Sequence, residues 1–180
     1  SVEDTISALS VSVVRVRSAA RRASSIADDR SALVELMLRA ATALAGTCVA
    51  VLNQSGALLY GSRIVLLVGG GNNGGDGYVM AHIARAQGLV VHAVAIADAS
   101  GLKGDARRAH DEFVAAGGQV GAWQPAVVRD GDVIVDAIFG TGLTRDVAGL
   151  AAECIETVNT AQRPVISLDV PSGLGADTGH

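Results

Sequence analysis

Cysteine, aromatic residues and long apolar runs are all scarce in this chain of 180 residues. Its two cysteines, Cys48 and Cys154, lie far apart and form no CxxC or Cys/His spacing, which argues against a thiol-based metal or redox motif. No apolar run is long enough to span a bilayer, and the first residues lack the apolar core of a signal peptide. We therefore expect no membrane partner and a cytoplasmic location.

Basic residues are too few for a nucleic-acid-binding surface. The sequence contains 14 Lys and Arg residues and 18 Asp and Glu residues, so its net charge is −4. It also contains no basic run. This charge predicts a small-molecule partner and no nucleic acid. The apolar fraction is 49%, the aromatic fraction is 3% and 22 residues are glycine. Such a composition indicates an α/β domain with an aliphatic core.

The most informative stretch of the sequence lies between residues 63 and 80. Ile64–Val68 is an unbroken apolar run rich in β-branched residues, which predicts a strand buried on both faces. Glycine dominates residues 69–77, and a helical pattern follows, so backbone N–H groups can approach an anion closely. Because Asn72, Asn73 and Asp76 project from this loop, we favour a binding site over a tight turn with Asn or Asp capping the helix.

Strand and helix patterns alternate from Arg63 onward, which predicts right-handed crossovers and a Rossmann-like doubly wound parallel sheet with helices on both faces. Two helices are predicted before the first strand, one after Asp4 and one with its apolar face between Leu33 and Leu44. The predicted strands are 64–68, 90–96, 119–121, 133–136 and 164–169, and the predicted helices between them are 75–87, 104–116 and 148–161.

Carboxylates follow several of these predicted strands. Asp136 and Asp169 end two strands, and Asp76 follows the first one. Ligands bind at the carboxyl ends of strands in such sheets, and clustered carboxylates repel one another unless a cation or proton lies among them. The residues thus predict a bound cation or a catalytic carboxylate. Nearby Asn and Ser oxygens suit a hard cation better than zinc, and the glycines of residues 140–142 permit a second close approach to phosphate.

Three motifs of the chain resemble the NAD(P)H-hydrate epimerases, the family of the YjeF-type N-terminal domain. They are Gly71–Gly77, Val135–Gly142 and Leu168–Gly173, in the family's order and near its spacing. A fourth segment, Leu36–Ala41, is similar to a helix of the family. The resemblance implies a single domain over residues 1–180. It also implies an isomerase of metabolite repair, which interconverts the (R) and (S) forms of hydrated NADH and NADPH at C6 of the nicotinamide ring.

The resemblance further implies which residues form the site. Potassium (K+) would be held by Asn73, Asp136 and Ser172. We prefer Asp136 as the catalytic electrostatic or acid/base group, with Asp169 as the alternative. The implied substrate-binding residues are Asn72, Asn73, Gly74, Gly75, Asp76, Gly140, Thr141, Gly142, Leu143, Thr144, Arg145, Asp146 and Asp169.

The chain departs from the family pattern at a few places. Ala41 replaces a glycine, Gly70 stands where proline is common, and residues 1–30 match poorly. Relatives continue beyond Asp177–His180 through further strands, so we expect the C-terminal part of the domain to be shortened. Besides the substrates NADHX and NADPHX, the expected partners are a second copy of the chain in a homodimer and an NAD(P)HX dehydratase.

Two other functions stay open at this point. A non-catalytic nucleotide- or protein-binding scaffold could share the fold, although a scaffold has no reason to keep Asn72, Asn73 and all three carboxylates. A nicotinamide-dependent oxidoreductase would need an acidic residue at the end of the second strand, for which Asp98 is a candidate. The paired amides of the glycine-rich loop argue against that dehydrogenase fingerprint.

Overall fold

A parallel sheet of six strands forms the centre of the computed structural model, which describes residues 12–13, 42–43, 45–53 and 62–174. The strands lie in the order β1-β6-β5-β2-β3-β4, and every neighbouring pair is parallel. Their bounds are Ser12–Val13 (β1), Arg63–Val68 (β2), Val90–Ala95 (β3), Val120–Ala122 (β4), Val133–Ala137 (β5) and Val165–Ser167 (β6). The predicted fold class is confirmed.

Helices cover both faces of the sheet because alternate residues of its central strands point to opposite sides. The described helices are 45–53 (α1), Asn72–Ala86 (α2), Gly104–Ala115 (α3) and Leu150–Thr160 (α4), with 3-10 turns at Ala99–Gly101 and Pro125–Asp130. Leu66 of β2 belongs to a core on one face with α2 and α3, whereas Leu67 packs on the other face with α4 and the second 3-10 turn. The unbroken apolar run of β2 is thus explained by burial on both faces.

The strand order reverses between β2 and β5. Strands β3 and β4 continue on one side of β2, whereas β5, β6 and β1 lie on the other side. At such a switch point the two loops that leave neighbouring strands diverge, and a crevice opens beyond the carboxyl ends of the strands. The loops after β2 and β5 therefore form the expected ligand position.

The largest difference from the prediction is the start of α2. This helix begins at Asn72 rather than Gly75, so both asparagines lie in its first turn and not in a loop. Glycine and asparagine are poor helix formers, but Gly74, Gly75 and Gly77 all pack closely against neighbouring segments. Tertiary packing therefore outweighs local propensity at this position.

Three elements within the described residues were not predicted. They are strand β1, which pairs with β6, the 3-10 turn Ala99–Gly101 and the 3-10 helix Pro125–Asp130. The predicted helix after Asp4, most of the predicted helix between Leu33 and Leu44, and the segments Leu36–Ala41 and 175–180 lie outside the described residues. The described helices are too short or too polar to traverse a lipid bilayer.

Candidate functional site

A cavity of about 780 Å³ opens at the carboxyl ends of β2, β3 and β5. This volume lies in the range of small-molecule and cofactor sites. The glycine-rich turn before α2, the end of β3, the loop after β5 and the first turn of α4 form its walls. The cavity therefore occupies the switch point of the sheet.

The turn between β2 and α2 is held tightly against the loop after β5. A side chain at Gly69 would overlap the carbonyl oxygen of Ile138, and one at Gly74 would overlap the carbonyl oxygen of Gly69. A Cβ at Gly75 would lie 2.7 Å from Cα of Ala106 in α3. Glycine at these positions thus serves close packing and brings the first turn of α2 next to the β5 loop.

Asp136, in β5, is a buried carboxylate surrounded by hydrogen-bond donors. Its Oδ1 accepts from the Ser172 hydroxyl at 2.6 Å and from the Ile138 N–H at 3.2 Å. Its Oδ2 accepts from the Ser172 N–H at 2.8 Å and from the Ser167 hydroxyl at 3.3 Å. Burial raises the pKa of the Asp136 carboxyl, while the hydrogen bonds from Ser172, Ile138 and Ser167 act to lower it. Within the described part of the chain, no cationic side chain forms an ion pair with Asp136.

The backbone of Phe139 joins Asn73 to Ser172 and so to Asp136. The Asn73 amide Nδ2 donates to the Phe139 carbonyl at 2.7 Å, and the Phe139 N–H donates to the Ser172 hydroxyl at 2.9 Å. That hydroxyl in turn donates to Asp136. The three residues that the resemblance assigns to potassium are therefore linked by one chain of hydrogen bonds, although they come from three separate parts of the sequence.

Asp169 supports the second glycine turn. It is buried, with 4% of its surface exposed, and its Oδ2 accepts a hydrogen bond from the Thr141 N–H at 2.8 Å. Asp169 thereby fixes the turn at residues 140–142 that follows β5. Neither Asp136 nor Asp169 is among the residues that line the cavity.

The structure brings together most of the predicted substrate-binding residues but not all of them. The cavity is lined by Asn72, Asn73, Gly140, Gly142, Leu143, Thr144, Arg145 and Asp146. Gly74, Gly75, Asp76, Thr141 and Asp169 do not line it. Gly74 and Gly75 instead provide close packing, and Asp76 is half-buried within α2. These placements separate the predicted residues into a cavity wall and a supporting layer.

Sequence reasoning missed part of the cavity wall. Ile96 and Ala97, at the end of β3, line the cavity, as do Leu150 and Ala151 at the start of α4. The rule that ligands bind at the carboxyl ends of strands could have indicated the first pair. Asp98, the acidic residue considered for an oxidoreductase, follows this pair but does not line the cavity, and its side chain accepts a hydrogen bond from the Ser100 N–H. No pattern in the sequence indicated the second pair.

The oxygens around Asp136 fit a monovalent hard cation better than a polyvalent one. No group of three His, Cys, Asp or Glu side chains that could hold a metal occurs within residues 12–13, 42–43, 45–53 and 62–174. The expected grouping of Asp76, Asp136 and Asp169 around one cation is therefore not present. What the structure does gather is one carboxylate, one amide and one hydroxyl, which supply oxygen donors and a single negative charge.

Comparison with known proteins identifies the family. Residues 33–180 match the family model described as YjeF-related protein N-terminus. The chain belongs to this family. The matched range includes all of the predicted site residues, and it confirms the family that the three sequence motifs indicated.

Individual YjeF-related relatives carry more specific names. The chain is 42% identical to an NAD(P)H-hydrate epimerase of Bordetella bronchiseptica over 120 residues, which are 67% of this chain and 52% of that protein. It is 36% identical to the bifunctional NAD(P)H-hydrate repair enzyme Nnr of Escherichia coli over 147 residues, 82% of this chain and 27% of that protein. The chain thus spans about half the length of the first relative and about a quarter of the second.

A solved structure shares the fold of this YjeF-related chain. The crystal structure of yeast ynu0 covers 93% of this chain with a TM-score of 0.71, and 74% of the yeast chain is covered in return. The two sequences are 23% identical, so the likeness concerns the fold alone. The yeast protein therefore has the same fold as this chain.

Proposed function

We propose that this chain is an isomerase that epimerises hydrated NADH and NADPH at C6 of the nicotinamide ring. The observation that carries the proposal is the chain of hydrogen bonds from Asn73 through Phe139 and Ser172 to Asp136, beside a cavity large enough for part of a nucleotide. The names of the relatives from Bordetella bronchiseptica and Escherichia coli support the same activity.

The proposed reaction requires acid/base and electrostatic catalysis but no hydride acceptor. The hydroxyl at C6 lies on a carbon bonded to the ring nitrogen, so its protonation lets water leave and produces an iminium cation. Water then adds to either face and returns the proton, which interconverts the two epimers without any change in oxidation state. A fixed negative charge beside the iminium ion would stabilise this intermediate and the transition states that lead to it.

Asp136 is suited to the electrostatic part of this reaction. Its carboxylate accepts hydrogen bonds on both oxygens and is held behind the turn that begins at Phe139. Such a preorganised charge needs little rearrangement when positive charge develops nearby. Asp169, the alternative acid/base group, is joined to the same turn through the Thr141 N–H. Because neither carboxyl lines the cavity, we assign the proton transfer to one of them acting through a water molecule.

Potassium is the cofactor that the donor set favours. Asn73, Asp136 and Ser172 would hold it, because they supply an amide, a carboxylate and a hydroxyl and bring only one negative charge. A potassium ion held there would favour the ionised form of the Asp136 carboxyl, which burial disfavours, and would keep Asn73 and Ser172 close to it. The resemblance to the family supports the same three residues.

Two protein partners are part of the proposal. The Escherichia coli relative is named a bifunctional NAD(P)H-hydrate repair enzyme, and this chain matches only 27% of its length. We therefore propose that the epimerase works together with a separate or fused activity that removes the hydrate, an NAD(P)HX dehydratase. The homodimer expected from the family resemblance also belongs to the proposal.

The assay follows a single purified epimer of NADPHX by chiral HPLC in potassium buffer. We expect the wild-type protein to restore the mixture of (R) and (S) forms much faster than buffer alone, and Asp136→Asn to proceed at the spontaneous rate. Asp111→Asn is the matched control, because Asp111 is an exposed carboxylate on α3 and pairs with Arg107. Wild-type protein that binds NADPHX without speeding its epimerisation would instead support the scaffold function.

A second measurement separates the epimerase from an oxidoreductase. The protein is incubated with NADPH, and absorbance at the band of the reduced nicotinamide is recorded. We expect no change that depends on the protein, because the proposed reaction transfers no hydride. Loss of this band in the presence of a carbonyl substrate would favour the dehydrogenase.

A further inference from the structure

Ser167 is a buried polar residue to which the proposed mechanism gives no role. It lies on β6, where only 1% of its surface is exposed, and it is the register partner of Asp136 on β5. Its hydroxyl donates to Oδ2 of Asp136 at 3.3 Å. Ser167 does not line the cavity. Its contact with the site is therefore made through Asp136.

The hydrogen bond from Ser167 differs in origin from the other three that Asp136 accepts. Those three come from Ile138 and Ser172, which lie in the loops that follow β5 and β6. Ser167 instead projects from a strand, and the two strands are further joined by the bond from the Leu168 N–H to the Asp136 carbonyl. Loops adjust more readily than paired strands. The Ser167 hydroxyl is thus the donor with the most fixed position.

A fixed donor matters because a carboxylate can rotate about its last side-chain bond. The Ser167 hydroxyl holds Oδ2, which leaves Oδ1 directed toward the Ser172 hydroxyl and the Ile138 N–H. Without this hydroxyl, Oδ2 would keep only the Ser172 N–H as its donor. The orientation of the carboxylate would then depend on the two loops alone.

We propose that Ser167 is a positioning residue, whose hydroxyl fixes the Asp136 carboxylate in the orientation that serves both the cation and the reaction. This inference rests on the proposed function, which it deepens by adding a residue that touches neither substrate nor cation. A hydroxyl that only satisfied its own need for a partner would be replaced by alanine without effect on the site. Replacement of a hydroxyl that positions Asp136 would instead alter both cation binding and the reaction.

The test compares wild type with Ser167→Ala and Ser167→Cys. The first variant removes the hydroxyl, and the second fills the space with a thiol, which is a weak hydrogen-bond donor.

Two measurements are made on each protein. Potassium affinity is obtained from the rise in Tm as KCl replaces choline chloride at constant ionic strength, and kcat and KM for NADPHX are obtained by chiral HPLC. In both variants we expect the half-saturating potassium concentration to rise and kcat to fall, each about fivefold or more, because a hydrogen bond to a charged group is lost. KM should stay within about twofold, since Ser167 does not line the cavity.

Ser62→Ala is the matched control, because Ser62 is also buried, with 3% of its surface exposed, but precedes β2 at the opposite end of the sheet. This control should keep the potassium dependence and kcat of wild type. Unchanged potassium affinity and kcat in Ser167→Ala would overturn the proposal. Normal values in Ser167→Cys together with losses in Ser167→Ala would also overturn it, because the cause would then be packing.

The two readouts separate this inference from the proposed function. If wild-type protein gains stability from potassium but epimerises nothing, the proposed function fails while the potassium titration of the Ser167 variants still decides the positioning role. If wild-type protein epimerises NADPHX but gains no stability from potassium, kcat of the same variants decides whether Ser167 is a positioning residue. A wild-type protein that does neither overturns both.

Discussion

The hydroxyl of Ser172 donates a hydrogen bond of 2.6 Å to Oδ1 of Asp136 while it accepts one of 2.9 Å from the Phe139 N–H. One small side chain thus connects the end of β5 with the loop after β6. Because the Phe139 carbonyl also accepts from Asn73, the same connection extends to the first turn of α2. Three segments at the carboxyl ends of the strands are therefore held together around one buried carboxyl group.

Replacement of Ser172 by alanine should weaken this connection. The Phe139 N–H would lose its acceptor, and Asp136 would lose its shortest hydrogen bond. A buried group left without a partner costs about 1–3 kcal/mol, so we expect the free energy of unfolding to fall by about that amount. Urea unfolding followed by circular dichroism measures the change, and Thr157→Ala is the control, because that hydroxyl bonds on the exposed side of α4. Equal stability of the two variants would contradict the prediction.

Asn72 and Asn73 are neighbours in sequence but should respond differently to substitution. Asn73 is buried and donates to the Phe139 carbonyl at 2.7 Å, whereas Asn72 is exposed and lines the cavity. We expect Asn73→Ala to lower the free energy of unfolding by about 1–3 kcal/mol. Asn72→Ala should change it by less than about 0.5 kcal/mol.

Substrate binding separates the same two variants. Asn72→Ala should raise KM for NADPHX, because it alters the wall of the cavity without altering the fold. The measurements are urea unfolding and the chiral HPLC assay, applied to both variants in parallel. The structural distinction between the two amides would be wrong if Asn72→Ala were the more destabilised protein.

How much of this architecture could be predicted depends on whether a feature is local. The strand at Ile64–Val68 was predicted because burial on both faces leaves an unbroken apolar run in the sequence itself. The contacts of Asp136 with Ser167 and of Asn73 with Phe139 join residues 31 and 66 positions apart. Such pairs depend on the register of the sheet and on helix packing, which periodicity does not encode.

The start of α2 shows the same limit. Two asparagines after three glycines read as a loop, because both residue types favour turns over helices. In the structure, Gly74 and Gly75 let α2 approach neighbouring backbone closely, and this packing extends the helix back to Asn72. The secondary structure of Asn72 and Asn73 is therefore decided by contacts distant in sequence, which a local pattern cannot predict.

Substitution within the glycine-rich turn should distinguish packing from ligand access. A Cβ at Gly74 would overlap the carbonyl oxygen of Gly69, so Gly74→Ala must displace backbone. Overpacking of this kind costs about 1–3 kcal/mol, and we expect at least that loss in the free energy of unfolding. Urea unfolding of Gly74→Ala and of its control, Gly71→Ala, provides the measurement.

The Gly71→Ala control has a different expected outcome. Gly71 has φ of −104° and no atom within 4 Å of an added Cβ, so alanine fits there without strain. Stability should fall by less than about 1 kcal/mol, since alanine is a weaker N-cap than glycine. Because Gly71 lines the cavity, KM for NADPHX should nevertheless rise. Strong destabilisation by Gly71→Ala would contradict the open space at this position.

The two cysteines should be unreactive in the folded protein. Cys48 and Cys154 are fully buried, and burial raises the pKa of each thiol to about 12, with the charge of Asp136 adding to the effect at Cys154. The thiolate is the reactive form, so a thiol reagent at about pH 8 should label neither residue in native protein and both after denaturation.

Because the folded pKa lies above the value of 9.0 that applies in the unfolded chain, both thiols favour the folded state below pH 9.0 and lose that contribution as the pH rises toward 12.

The labelling rate in native protein also tests how the site is built. Cys154 belongs to the core on the α4 side of the sheet, close enough to Asp136 to feel its charge. If the hydrogen bonds from Ser172 hold the strand ends together, Ser172→Ala should open this region more often and speed the labelling of Cys154. Cys48 belongs to the core on the opposite face, so its labelling should remain slow in the same variant. Equal acceleration of both thiols would instead indicate global unfolding, and no acceleration would show that the core around Cys154 is stable without the Ser172 hydroxyl.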